Sequence, residues 1–242
     1  MDKDLLHRKF DMFVKEYDMN IPLIKLKYFH SYRVAKLAYR IAESLALNDD
    51  EKEAAYVIGL LHDIGRFKQV ESFDNMDDRN VDHGEYGIKM LFEKRLINNF
   101  YDKEEYYSSI KTAIGNHNKM KIGDVSGMEL VFSKIIRDAD KLDIFFLIVD
   151  RQIDFGLSGD EVSKKVWNSF LAKEPISFLD VKTNLDQLIL FLSFVYDLNF
   201  KFSFNYLIEH DYINQIIDLY QDSAYNLDVI RNNVNRFIEV KK

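Results

Sequence analysis

Apolar residues recur at helical spacing along most of this chain, and no segment sustains the alternation of a strand. Asp4 to Tyr17 reads as a first helix, closed before Pro22. Tyr28 to Leu45 follows, with Val34, Leu37, Ala38, Ile41, Ala42 and Leu45 on an i, i+3, i+4 stripe. The polar group Asn48-Asp49-Asp50-Glu51 has the composition of a helix start, and its helix is expected to run to Ile64 and stop at Gly65. Arg66 to Asn80 is polar and reads as a loop, as does the span 115–127. Further helices are expected to begin near Gly84, Asp102, Met128, Asp160, Asp180, Lys201 and Ser223. After about residue 178 the chain becomes rich in Phe, Tyr, Leu and Ile. These late helices are read as packing on the first part, with a homodimer seam as the alternative use of their aromatic faces.

Composition supports the helical reading. The 242 residues include 9 Gly and 2 Pro, where average usage gives about 17 and about 12. Turn-dense sandwiches and barrels are thereby excluded. The absence of cysteine removes disulfide scaffolds, thiolate zinc sites and a cysteine nucleophile together. Lys and Arg number 33 against 40 Asp and Glu, a net charge of −7. That balance argues against a nucleic-acid polymer as partner, while leaving room for a local basic pocket that takes a small phosphate compound. No apolar run reaches about 18 residues, and the opening MDKDLLHRKF lacks the apolar core of a signal peptide. The expectation is a cytoplasmic protein with no membrane partner.

The chemistry lies on the helix faces. His30 shares the apolar stripe that begins at Val34, and His62 continues the row Ala54, Ile58. His117 extends Ile110, Ala113 and Ile114; Asp140 extends Phe132 and Ile136; His83 begins the row Gly87, Leu91. A single histidine on such a face is ordinary core. Five polar groups on core-directed faces, with Asp63 beside one of them, are not, because a buried carboxylate is costly unless it is paired or bound to metal. Imidazole nitrogen with carboxylate oxygen suits Fe, Mn, Zn, Co or Ni, and helical bundles build such sites from inward side chains.

Three segments carry a family resemblance: Phe29-His30-Ser31, then Leu61-His62-Asp63-Ile64-Gly65-Arg66-Phe67, then Arg137-Asp138-Ala139-Asp140-Lys141-Leu142-Asp143. Over about residues 25–150 they resemble the H…HD…D signature of the HD-domain phosphohydrolase superfamily. The resemblance implies an all-α fold, an HD-domain-like helical bundle with additional C-terminal helices. Chain length and the absence of a compositional boundary give a single helical domain over 1–242, with the HD-like metal-binding core at about 25–150 and a helical extension at about 159–242. The family's metal ligands fall on His30, His62, Asp63 and Asp140. Asp138 competes for the last place, about 160° away on a helix, and Asp140 is preferred because it directly precedes Lys-Leu. His83 in VDHGEYG and His117 in GNHN resemble the intervening histidines of the two-metal subgroup, in which the Asp of the pair bridges both ions. One or two divalent ions (Fe, Mn, Zn, Co, Ni or Mg) are therefore expected.

The activity implied is hydrolysis of phosphate esters, on a small phosphorylated substrate such as a nucleotide. Asp63, Arg66 and Lys141 would be catalytic, with Arg66 and Lys141 also gripping the phosphate of the substrate. Glu85 is expected to serve a helix N-terminus, and His7 and His210 to lie on the surface outside any cluster. The chain lacks the GYP tripeptide of the cyclic-di-GMP phosphodiesterase branch and the companion synthetase domain of stringent-response hydrolases. A cyclic-dinucleotide phosphodiesterase and a non-catalytic, metal-stabilised nucleotide-binding signalling module are the alternatives.

Overall fold

Helix-forming periodicity dominates the molecule as it does the sequence. A computed structural model describes residues 2–153, 157–159, 161–220 and 225–242. It is 71% helical, and no strand occurs among the described residues. Two compact units divide the chain, Met1–Ala139 and Asp140–Lys242.

The first unit contains α1 (Lys3–Val14), α2 (Pro22–Ser44), α3 (Asp49–Leu61), α4 (Ile64–Phe73), α5 (His83–Ile88) and α6 (Tyr107–Asn116), and the first half of α7 (Gly127–Val149). The start of α3 is the one the sequence indicates. The Asn48 side chain accepts from the Glu51 backbone at 2.9 Å and the Glu51 carboxylate accepts from the Asn48 backbone at 2.9 Å, a closed capping box. Helix α2 begins earlier than its stripe suggests. Pro22 occupies its first turn, where the missing N–H costs no hydrogen bond.

The larger departure lies at 61–73. Helix α3 ends at Leu61, and residues 64–73, read partly as loop, form α4. Ile64, Phe67 and Val70 are buried at helical spacing there, while Lys68 and Glu71 lie exposed on the outer face. Helices α2 and α3 approach closely: a Cβ on Gly59 would stand 2.6 Å from the Ala35 Cα. Gly65 meets α5 more tightly still, since a Cβ there would fall 2.2 Å from the His83 carbonyl oxygen. Phe10, Ile24, Val34, Ile58, Leu61, Phe67, Ile110 and Phe132 fill the core of this unit.

The second unit takes the rest of α7 with α8 (Lys164–Ala172), α9 (Asn184–Ser193), α10 (Lys201–Glu209), α11 (Tyr212–Asp218) and α12 (Asp228–Lys241). Its core collects Phe145, Val166, Phe170, Leu188, Ile189, Leu192, Ile216 and Val234. The helix starts expected near Asp160 and Ser223 lie outside the described residues; the neighbouring helices begin at Lys164 and Asp228.

Candidate metal centre

The break between α3 and α4 is what aims the site. On a continuous helix adjacent side chains diverge by about 100°. His62 keeps helical dihedrals, but Asp63 turns to φ −99°, ψ 15° before α4 begins. His62 and Asp63 therefore both enter the interior, buried to 0% and 2% exposure. His30 reaches the same place from α2, His83 from the first residue of α5 and His117 from the end of α6, all of them buried. The four rings form a row, with centroids 5.2 Å apart for His30–His62, 5.1 Å for His62–His117 and 4.8 Å for His117–His83.

Asp63 lies across that row and divides its two oxygens. Oδ2 stands 3.5 Å from His30 Nε2 and 3.4 Å from His62 Nε2. Oδ1 stands 3.1 Å from His83 Nε2 and 3.6 Å from His117 Nε2. The opposite ring nitrogens are held from behind. Nδ1 of His62 donates to the Gly59 carbonyl at 2.8 Å, and Nδ1 of His117 to the Ile114 carbonyl at 2.6 Å. A carbonyl only accepts, so these nitrogens carry the proton and each Nε2 presents a lone pair inward. His83 Nδ1 lies 2.7 Å from the Asp78 carboxylate, which selects the same tautomer. Orientation of a ligating imidazole by an oxygen on its far nitrogen is the usual arrangement behind metal sites.

This donor set fits a cation. In those tautomers His83 and His117 direct two lone pairs at each other across 2.8 Å, an arrangement that an ion between them relieves. Protonation of His117 is disfavoured: burial, reinforced by the nearby His83 and His62 and only partly offset by Asp63, pushes its pKa down to about 4. Burial opposes ionisation of Asp63 too, but Lys27, His62, His117 and His83 outweigh it and hold the carboxyl well below the usual range. His62, Asp63 and His117 each offer a ligand atom, all within 4.8 Å of one another.

The remaining site candidates have their own partners. Arg66 donates through one terminal nitrogen to Gln69 at 2.7 Å, the Met76 carbonyl at 2.7 Å and Asp78 at 2.9 Å, while its Nε lies 3.7 Å from Asp63. Lys141, in the second unit, ion-pairs with Asp197 at 2.7 Å. Asp138 is buried in the first unit, and Asp140 opens the second, one turn beyond Ile136 on α7. Glu85 sits in the first turn of α5, as expected, and meets Lys119 at 3.1 Å. His7 and His210 are not fully exposed: His7 bonds the Tyr56 hydroxyl at 2.7 Å, and His210 stacks on Tyr206 with centroids 4.0 Å apart. Aromatic neighbours brought in by folding account for both.

Sequence reasoning did not single out Lys27, Asp78 or Arg137. Lys27 Nζ donates to Asp63 Oδ2 at 2.5 Å. Asp78 receives His83, Arg66 and Gln69, which together overcome its burial and hold its carboxyl well below the ordinary range. Arg137 is buried and donates to the carbonyls of Asn116, His117 and Lys119 at 2.9, 3.3 and 2.5 Å, clamping the turn that carries His117. Only Lys27, one turn before His30 on α2, left a signal that could have been used.

No helix among the described residues is long and apolar enough to cross a membrane. No curated protein and no solved structure matches the chain significantly. Residues 28–144, just short of half the 242 residues, match the HD domain family, and the match spans His30, His62, Asp63, His83, His117 and Asp140. Residues 28–144 thus belong to the HD-domain phosphohydrolase superfamily.

Proposed function

We propose that this chain is a metal-dependent hydrolase of phosphate esters, acting on a small phosphorylated compound such as a nucleotide. The observation that carries this reading is the division of Asp63, with one carboxylate oxygen facing His30 and His62 and the other facing His83 and His117. A carboxylate so placed can bridge two cations. His30, His62, Asp63 and Asp140 would hold one ion, the last taken from the family signature, and Asp63, His83 and His117 the other. Bound divalent ions supply charge for the phosphoryl oxygens and a more acidic water. The imidazole and carboxylate donors accommodate Fe, Mn, Zn, Co, Ni or Mg.

The chain's own residues supply orientation. Gly59 and Ile114 hold two rings through their carbonyls, and Asp78 holds a third. Arg66 in turn holds Asp78, so it acts in the first instance as a positioning residue; contact with a phosphate would need its side chain to turn. One observation favours the non-catalytic signalling module as a second reading: Arg66 and Lys141, the cations expected to grip the phosphate, both bond carboxylates of their own unit. Metal analysis of the purified chain, with a phosphatase screen run with and without chelator, separates the two. Hydrolysis that chelator abolishes and added metal restores is the expected result. Stoichiometric metal with no turnover across nucleotides, cyclic dinucleotides and sugar phosphates would leave the binding module standing.

A further inference from the structure

The ion pair at Asp63 points to a role for Lys27. Within the first unit two carboxylates, Asp63 and Asp78, meet two cations, Lys27 and Arg66, at 2.5 and 2.9 Å. The two cations are held differently. Arg66 has three acceptors on one terminal nitrogen, spread over the segment from Gln69 to Asp78. Among the described residues Lys27 is held by Asp63 alone, at the end of a flexible four-carbon stem rooted on α2, and its side chain keeps 13% exposure. Oδ2, the oxygen it occupies, is also the one that faces His30 and His62.

We propose that Lys27 is a built-in counter-ion that competes with metal for Asp63 and, once displaced, binds the phosphoryl anion of the substrate. This rests on the metal-dependent reading of the site and adds a substrate-contacting residue to it. Two cations on one carboxylate oxygen repel each other, so metal entry drives the ammonium away from Oδ2. Its stem lets it move without disturbing α2, and the displaced ammonium stays at the edge of a site that now carries excess positive charge. A phosphoryl oxygen is the complementary partner, through a charge-assisted hydrogen bond.

The two halves of the role have opposite signs, and that makes them testable by binding alone. Full-length wild type, Lys27→Met and Lys27→Arg would be titrated calorimetrically with Mn2+, and the Mn-loaded proteins then with inorganic phosphate. Lys27→Met should bind Mn2+ about tenfold more tightly, because a competing cation is gone, and phosphate about tenfold more weakly, because a charged donor is gone. Lys27→Arg should retain most of the phosphate affinity. Should the methionine variant fold poorly by its melting curve, Lys27→Gln reads the same pair of constants. Weakening of both ligands would assign Lys27 to structure and overturn the proposal, as would no change in either while wild type binds both. If wild type itself binds no Mn2+ or other divalent ion, the metal-dependent reading falls and this one with it.

Discussion

Asp63 in the first unit and Asp186 in the second are both buried, and the two are satisfied in different ways. Asp186, on α9 of the second unit, has 0% exposure. Its oxygens accept from the Ser163 backbone at 2.7 Å, the Ser163 hydroxyl at 2.6 Å and the Lys182 backbone at 3.0 Å. Its own N–H donates to the capping Thr183 hydroxyl at 3.0 Å. These donors are backbone amides and hydroxyls that close a chain crossing at a helix start, and none is ionisable. Asp63 has 2% exposure, yet its neighbours are an ammonium and four imidazoles drawn from four helices or their ends. Burial by itself therefore does not mark a functional carboxylate. The ionisable character and the sequence distance of its partners do, because fixed amides neutralise a charge permanently while imidazoles and an ammonium can exchange it for another cation.

Removing each carboxylate breaks the comparison most directly. Asp63→Ala should lower metal-dependent phosphate-ester hydrolysis by about a thousandfold or more, since a bridging ligand is lost. Helix content should be retained, which circular dichroism with excess metal checks, because loss of a native-state ligand also lowers apparent stability. Wild-type turnover in that variant would end the bridging assignment.

Asp186→Ala should reverse the pattern. Three buried donors lose their acceptor, at a cost of about 3–4 kcal/mol in unfolding free energy. Metal content per folded chain should stay at the wild-type value, and denaturant titration paired with metal analysis reads both.

A smaller effect comes from pH. His117 has a folded pKa near 4 against an ordinary 6.5, because burial resists its protonation. Below the unfolded value the unfolded chain takes up a proton that the folded chain refuses, so stability falls as pH drops from about 6.5 toward 4. For the metal-free protein the loss between pH 7 and 4.5 should be about 2–3 kcal/mol. His117→Gln should flatten that slope, whereas Asp186→Ala should leave it unchanged; an unaltered slope in His117→Gln would remove this histidine from the account.

Helix class and the core-directed histidines were largely legible before folding was considered. Val34, Ala38, Ile41 and Ala42 repeat at 3.6-residue spacing and are buried as a stripe must be. The Asn48–Glu51 box is local chemistry four residues long and needs nothing distant. The break at His62-Asp63 was harder, since the polar run Lys68, Gln69, Glu71 resembles loop composition, while Lys68 and Glu71 form the outer face of α4 and Gln69 is buried.

Sequence alone determined that the chain is helical, that His30, His62, His83 and His117 fall on core-directed positions, and that their types suit a cation. Those properties depend on short-range spacing and on side-chain chemistry, both written in the order of residues. Tertiary structure decided which Asp63 oxygen faces which pair of rings, which nitrogen each ring turns inward, and that Lys27, Asp78 and Arg137 support the centre. Such pairings join residues as far as 54 positions apart, as from Asp63 to His117. A lysine, an aspartate or an arginine has the same composition on a solvated face as beside a buried carboxylate; only packing brings its partner to it.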